Sequence, residues 1–127
     1  MQLLLDTRVL LWWLTDDPAL SARARDAIAD AKNVVHVSAV SLWEIVIKRS
    51  LGKLELPDDW AEVLAREPMR RLPVTWDHAL RVATLPDVHR DPFDRLLIAQ
   101  ALVEDLVLVT GDELLARYSV AVLGARA

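Results

Sequence analysis

Apolar residues in this chain take two alternating forms: short uninterrupted runs, and longer stretches with the three-to-four-residue recurrence of a helix. Leu3–Leu5 is the first run and stops at Asp6, as a strand buried on both faces of a parallel sheet would. Asp6-Thr7 caps a helix over Val9–Leu14, which Thr15–Pro18 ends. Ser21 caps a second helix to about Ala31, with Ala24, Ala27, Ile28 and Ala31 on one face. Val34–Val37 is short and β-branched, the second strand. A third helix spans Ser38–Ser50 and is apolar nearly everywhere except at Ser41, Glu44 and Lys48. Those three positions form one narrow stripe, which faces either solvent, with a Glu44–Lys48 pair, or a cleft or partner.

Gly52–Pro57 reads as a turn, and Asp58-Asp59-Trp60 opens a short helix to Arg66. Arg71–Val74 is a weak edge strand, because Pro73 has no N–H for a ladder. Thr75 caps a helix through Leu85, and Asp87–Arg90 is a polar loop. Asp91 then caps a helix with Pro92 at its first position, running to about Glu104. Leu106–Val109 is the clearest strand and leads into Thr110-Gly111-Asp112. A short helix over Glu113–Tyr118 and a strand at Val120–Leu123 complete the chain. The β–α alternation predicts a single α/β domain over residues 1–127, with a central, mostly parallel sheet flanked by helices.

Composition narrows the chemistry. Hydrophobic residues make up 54 % of 127, enough for a core, and no apolar stretch approaches the roughly 18 residues of a membrane span. The absence of cysteine excludes disulfides and thiolate metal sites and fits a cytoplasmic protein. A net charge of −4 argues against a non-specific nucleic-acid coat. All but three of the 15 basic residues (Lys32, Lys48, Lys53) are arginine, the side chain suited to bidentate phosphate contacts, although ordinary surface charge explains them equally well.

Four carboxylates carry the candidate site. In parallel α/β sheets, ligands bind outside the carboxyl ends of the strands. Asp6 follows the first strand, Asp112 follows Leu106–Val109, Asp94 lies in the first turn of its helix, and Glu44 lies early in the helix after the second strand. Asp6 and Asp112 have a competing reading as helix caps, and Asp94 as a first-turn acid favoured by the helix dipole. Glu44 is no cap. Carboxylates packed together must bind protons or a cation, and oxygen-only ligation suits Mg²⁺ or Mn²⁺. Phosphodiester hydrolysis is the chemistry that such an ion serves. Asp91 is read as the cap rather than a ligand. Arg95, next to Asp94, is either a rim salt bridge or a phosphate contact.

These segments resemble the PIN domain, specifically the VapC-type toxins of bacterial toxin–antitoxin pairs. The likeness lies in Leu-Leu-Leu-Asp6-Thr, Leu-Leu-Trp-Trp-Leu14, Val-Ser-Ala-Val-Ser41-Leu-Trp-Glu44-Ile-Val-Ile-Lys48 and Gly-Lys-Leu54. It continues in Asp91-Pro-Phe-Asp94-Arg-Leu-Leu-Ile-Ala-Gln-Ala101 and Leu-Val-Thr110-Gly-Asp112. The resemblance implies a PIN-like three-layer sandwich and a Mg²⁺- or Mn²⁺-dependent endoribonuclease that cuts RNA to stop translation. It implies Asp6 and Asp94 as direct ligands and Glu44 and Asp112 as completing the cluster, partly through water. Ser41 and Thr110 would hydrogen-bond to the carboxylates and orient them. It also implies a homodimer, a cognate VapB-like antitoxin and no membrane association. Relatives often carry histidine where this chain has Arg8, which would still meet an RNA phosphate or a neighbouring acid. His89 is given no catalytic role.

Trp12, Trp13 and Trp43 are read first as core packing and second as a groove for a partner helix or a second copy. A phosphoaspartyl receiver would need a lysine near a late strand, and the lysines here are all early. A dehalogenase-like phosphatase would need an acid where Arg8 stands. A non-catalytic PIN-like RNA- or protein-binding module is the alternative, and the complete acid set argues against it.

Overall fold

The alternation of apolar runs and helices resolves into one five-stranded sheet in a computed structural model describing residues 1–127. In chain order the elements are β1 (Gln2–Leu5), α1 (Thr7–Leu14), α2 (Ala22–Ala29), β2 (Val34–Ser38), α3 (Ala39–Ser50), α4 (Trp60–Ala65) and β3 (Arg70–Leu72). They continue with α5 (Trp76–Val82), α6 (Pro92–Glu104), β4 (Val107–Thr110), a 3₁₀ turn at Glu113–Arg117, and β5 (Val122–Gly124). Strand order is β3-β2-β1-β4-β5, and every pairing is parallel. The α/β sandwich with a parallel sheet between helices is therefore the observed architecture.

Strand β1 shows why the sheet has helices on both faces. Leu3 and Leu5 join one apolar cluster, with Val9, Leu10, Ala24, Ile28 and Ile45 from α1, α2 and α3. Leu4, between them in sequence, joins the opposite cluster with Leu97, Ile98 and Ala101 of α6. Adjacent side chains on a strand point to opposite faces, so three leucines in a row fill two cores. Strand β4 repeats the pattern, with Val109 on the first side and Leu108 on the second.

The sheet also fixes where a site forms. β1 is central, with β2 on one side and β4 on the other, so the direction of strand addition reverses at β1. At such a reversal the connections leave on opposite faces and open a crevice at the strand carboxyl ends. Asp6 and Thr110 lie at that edge, and the Asp6 N–H extends the ladder to the Val109 carbonyl at 3.0 Å.

Several element ends differ from expectation. α1 begins at Thr7 rather than Val9, because the Asp6 carboxylate caps it directly, accepting from the Val9 N–H at 2.7 Å. α2 stops at Ala29, and α5 stops at Val82 rather than Leu85. The third strand is Arg70–Leu72, at the sheet edge and ending just before Pro73. The final strand starts at Val122, where the ladder to β4 begins, and the preceding short helix is 3₁₀. Trp12 is buried as expected, whereas Trp43 is exposed on α3 beside Leu42 and Val46 and meets Phe93 edge-on at 5.4 Å. No helix is long and apolar enough to cross a membrane.

Candidate metal centre

A cleft of about 1480 Å³ opens at the sheet edge and is lined by Asp6, Glu44, Asp94 and Asp112 together with Arg8, Lys48 and His89. Each acid arrives on its own element. Asp6 is held by the β1–β4 ladder through its backbone and by the start of α1 through its side chain. It thus caps α1 and lines the cleft at once. It is only 5 % exposed, and that burial pushes its carboxyl up from 3.8 to about 6. The Thr110 hydroxyl and the Val9 N–H oppose the rise, the charge of Asp94 adds to it, and Arg8 weakly opposes it.

Asp94 is placed by its helix start. Asp91 Oδ1 accepts from the Phe93 and Asp94 N–H groups at 2.8 and 3.0 Å, so Asp91 is indeed the cap. Burial raises the Asp94 carboxyl, the charge of Asp91 and, less, that of Glu44 raise it further, and His89 opposes. Asp112 caps the 3₁₀ turn, its Oδ1 accepting from Leu114 N–H at 2.9 Å. Its own N–H donates to the Thr110 hydroxyl at 3.0 Å, so Thr110 stands between Asp6 and Asp112.

Glu44 is 5 % exposed on α3. One carboxylate oxygen, Oε2, pairs with Lys48 one turn on, while Oε1 is buried with no hydrogen-bond partner. Glu44 and Lys48 of the α3 stripe thus line the cleft with their ion pair formed, while Ser41 is buried beneath it. A buried carboxylate oxygen left unpaired costs free energy that an incoming cation would recover.

The tightest grouping differs from the expected quartet. His89 Nε2, an oxygen of Asp94 and an oxygen of Asp112 all lie within 4.8 Å of one another, a group able to hold a divalent metal ion. Nε2 is 2.9 Å from Asp94 Oδ2 and 3.6 Å from Asp112 Oδ2. Asp6 and Glu44 line the same cleft outside this trio, Asp6 turned to its own helix and Glu44 drawn to Lys48. His89 is the residue that sequence reasoning set aside. Its one signal was position, five residues before Asp94 and just ahead of the cap.

The remaining expected residues divide. Arg8 is exposed at the cleft with no ion pair. Arg95 is not part of the cleft lining: its guanidinium donates to the carbonyls of Val82, Pro86 and His89 and to the Tyr118 hydroxyl. Ser41 is fully buried and accepts from the Thr7 hydroxyl at 3.0 Å, so it touches the residue beside Asp6 rather than a carboxylate. An oxygen-rich donor set, an orphaned carboxylate oxygen and acids raised by burial together fit a hard divalent cation.

Comparison with known proteins places the fold in a family. The family model of the PIN domain matches residues 3–121. The chain is 33 % identical over 113 residues to ribonuclease VapC22 of Mycobacterium tuberculosis, covering 86 % of this chain and 85 % of that protein. Among solved structures, it resembles a chain of VapBC2 from Rickettsia felis bound to a promoter DNA fragment, with a TM-score of 0.77 at 15 % identity over 98 % of this chain and 99 % of the other. A chain of DNA-bound VapBC from Salmonella typhimurium gives a TM-score of 0.72 at 16 % identity, covering 98 % of each.

Proposed function

The chain belongs to the PIN-domain family and is homologous to VapC-type toxins, and from that premise we propose that it is a Mg²⁺- or Mn²⁺-dependent endoribonuclease, the toxin of a VapBC-type pair. One observation carries the reading: Glu44 keeps a buried, unpartnered oxygen in a cleft where Asp6 and Asp94 are raised by burial. A binding module with no ion to hold has no use for that cost. Residues 1–127 act as one catalytic domain in this reading.

Asp6, Glu44, Asp94 and Asp112 would hold the ion. When bound, it neutralises phosphate charge and acidifies water for attack on the phosphodiester. The chain's own residues set the stage. Asp6, raised to about 6, holds a proton part of the time near neutrality and must release it from its carboxyl before it can ligate. Lys48 fixes Glu44 through Oε2, leaving Oε1 as the oxygen available to the centre. The Thr110 hydroxyl accepts from the Asp112 N–H and lowers the Asp6 carboxyl, so one side chain serves both acids. Arg8, exposed and unpaired at the rim, binds an RNA phosphate and orients the strand across the acids. The partners are RNA, a cognate VapB-like antitoxin and a second copy of the chain. The antitoxin follows from the homology to VapC-type toxins. The second copy is supported by the exposed Leu42, Trp43 and Val46 on α3.

The test is incubation of the purified protein with total RNA in MnCl₂ or EDTA, with sequencing of the new ends. Discrete cuts are expected with Mn²⁺, absent in EDTA and reduced at least about 100-fold in Asp94→Asn. Cleavage that Asp94→Asn leaves intact overturns the assignment.

A further inference from the structure

We infer that His89 is a positioning residue, a hydrogen-bond donor that holds Asp94 toward the ion and is not itself a ligand. This rests on reading the cleft as a divalent-cation site. By distance alone His89 qualifies as a ligand. The hydrogen bonds around its ring assign the other role. Nδ1 faces the Arg90 backbone N–H at 3.2 Å, so Nδ1 is the acceptor and carries no hydrogen in the neutral ring. The hydrogen then sits on Nε2, 2.9 Å from Asp94 Oδ2 and 3.6 Å from Asp112 Oδ2. A nitrogen bearing hydrogen has no lone pair to give a metal.

The donor leaves the right atoms free. Asp94 Oδ1 makes no hydrogen bond, whereas Oδ2 is spoken for by His89. A carboxylate held by one oxygen presents the other in a fixed direction, which is how hydrogen-bonded partners raise metal affinity.

The loop is built around this ring. The buried Tyr118 hydroxyl accepts from the His89 N–H at 2.7 Å. Arg95 Nη1 donates to the His89 carbonyl at 3.3 Å and to the Pro86 carbonyl at 3.0 Å, and Nη2 reaches the Val82 carbonyl at 3.3 Å. Two side chains from outside the loop thus clamp the backbone on both sides of the imidazole. Arg95 acts at the site through this strut.

The experiment uses Mn²⁺ as the probe, with wild type, His89→Gln and His89→Ala, each checked for folding by its melting temperature. Binding is read from the free Mn²⁺ electron paramagnetic resonance signal, and ¹⁴N coupling to the bound ion is measured by pulsed methods. Wild type should bind Mn²⁺ without directly coordinated imidazole nitrogen. His89→Ala should bind about 10-fold more weakly, and His89→Gln, which keeps an N–H donor, should stay within about 3-fold of wild type. Strong ¹⁴N coupling that His89→Ala abolishes makes His89 a ligand and overturns the inference while leaving the cation site standing. Equal affinity in all three proteins, or a His89→Gln as weak as His89→Ala, also overturns it. No Mn²⁺ uptake by wild type brings down the cation site as well.

Discussion

Asp6 shows at the scale of one residue how a single carboxylate serves fold and site together. It caps α1, completes the β1–β4 ladder and stands in the cleft. Because its carboxyl is raised to about 6 on folding, the folded protein binds that proton more tightly than the unfolded chain does. The resulting stabilisation is full below about 3.8 and is lost as the pH rises through about 6. Asp94, also raised, contributes with the same sign. At pH 7.5 the ion-free protein therefore carries an electrostatic cost from Asp6 of at most about 3 kcal/mol. Asn caps a helix as well as Asp does, so Asp6→Asn removes the charge and keeps the cap. In EDTA at pH 7.5 this variant should melt several degrees above wild type, roughly 1–2 kcal/mol, with the gain shrinking at pH 5. With Mn²⁺ present the order should reverse, and the stabilisation of wild type by Mn²⁺ should weaken from pH 7.5 to pH 5 as protons compete. A wild type that gains ion-free stability between pH 5 and 7.5 would contradict this. The four acids were legible as residue types at strand and helix ends. His89 was not, because a polar loop has no period, and its partners Tyr118 and Arg95 meet it only through the fold.

At the scale of elements, the loop Thr110–Asp112 depends on a close approach. A Cβ on Gly111 would lie 2.9 Å from Cη2 and 3.1 Å from Cζ3 of the buried Trp12 indole, a rigid ring with Arg126 over its face. Gly111→Ala must therefore push the ring or the loop and shift Asp112. It should cost about 1–3 kcal/mol and weaken Mn²⁺ binding. Gly124→Ala, with nothing within 4 Å, should leave Mn²⁺ affinity unchanged and stability within about 0.5 kcal/mol. Chemical denaturation and Mn²⁺ titration of both variants check the pair, and equal effects would refute the packing argument. The element pattern itself was readable: three leucines before an acid, a β-branched pair of valines, a Pro at a helix start. The ends were not. α1 starts two residues early because a side-chain cap ordered them, and β5 is short because its ladder partner on β4 decides where pairing begins. Ser41 was read as serving a carboxylate, but the α1–α3 packing that gives it Thr7 instead is a tertiary fact.

For the whole molecule, the sheet order matters more than any one strand. Placing β1 between β2 and β4 brings acids from distant parts of the chain to one edge. The chain is acidic overall, at −4, so the proposed RNA substrate would have to be drawn by the ion and the local cations at the rim. Arg8→Ala should raise KM for RNA about 10-fold while leaving Mn²⁺ affinity unchanged, read by steady-state cleavage and by calorimetry. A fall in kcat with unchanged KM would place Arg8 in the chemistry instead. The α/β sandwich and its parallel sheet were legible from alternation alone. The exposure of Trp43 was not, since one helix carries apolar residues on both its buried and its open sides. The most direct test of the central claim is anomalous diffraction at the manganese edge from crystals grown with Mn²⁺ at pH 7.5. A peak among the carboxylates of Asp6, Glu44, Asp94 and Asp112, absent from Asp94→Asn crystals, is the predicted result. A cleft with no peak, or a peak held by other residues, would contradict the account.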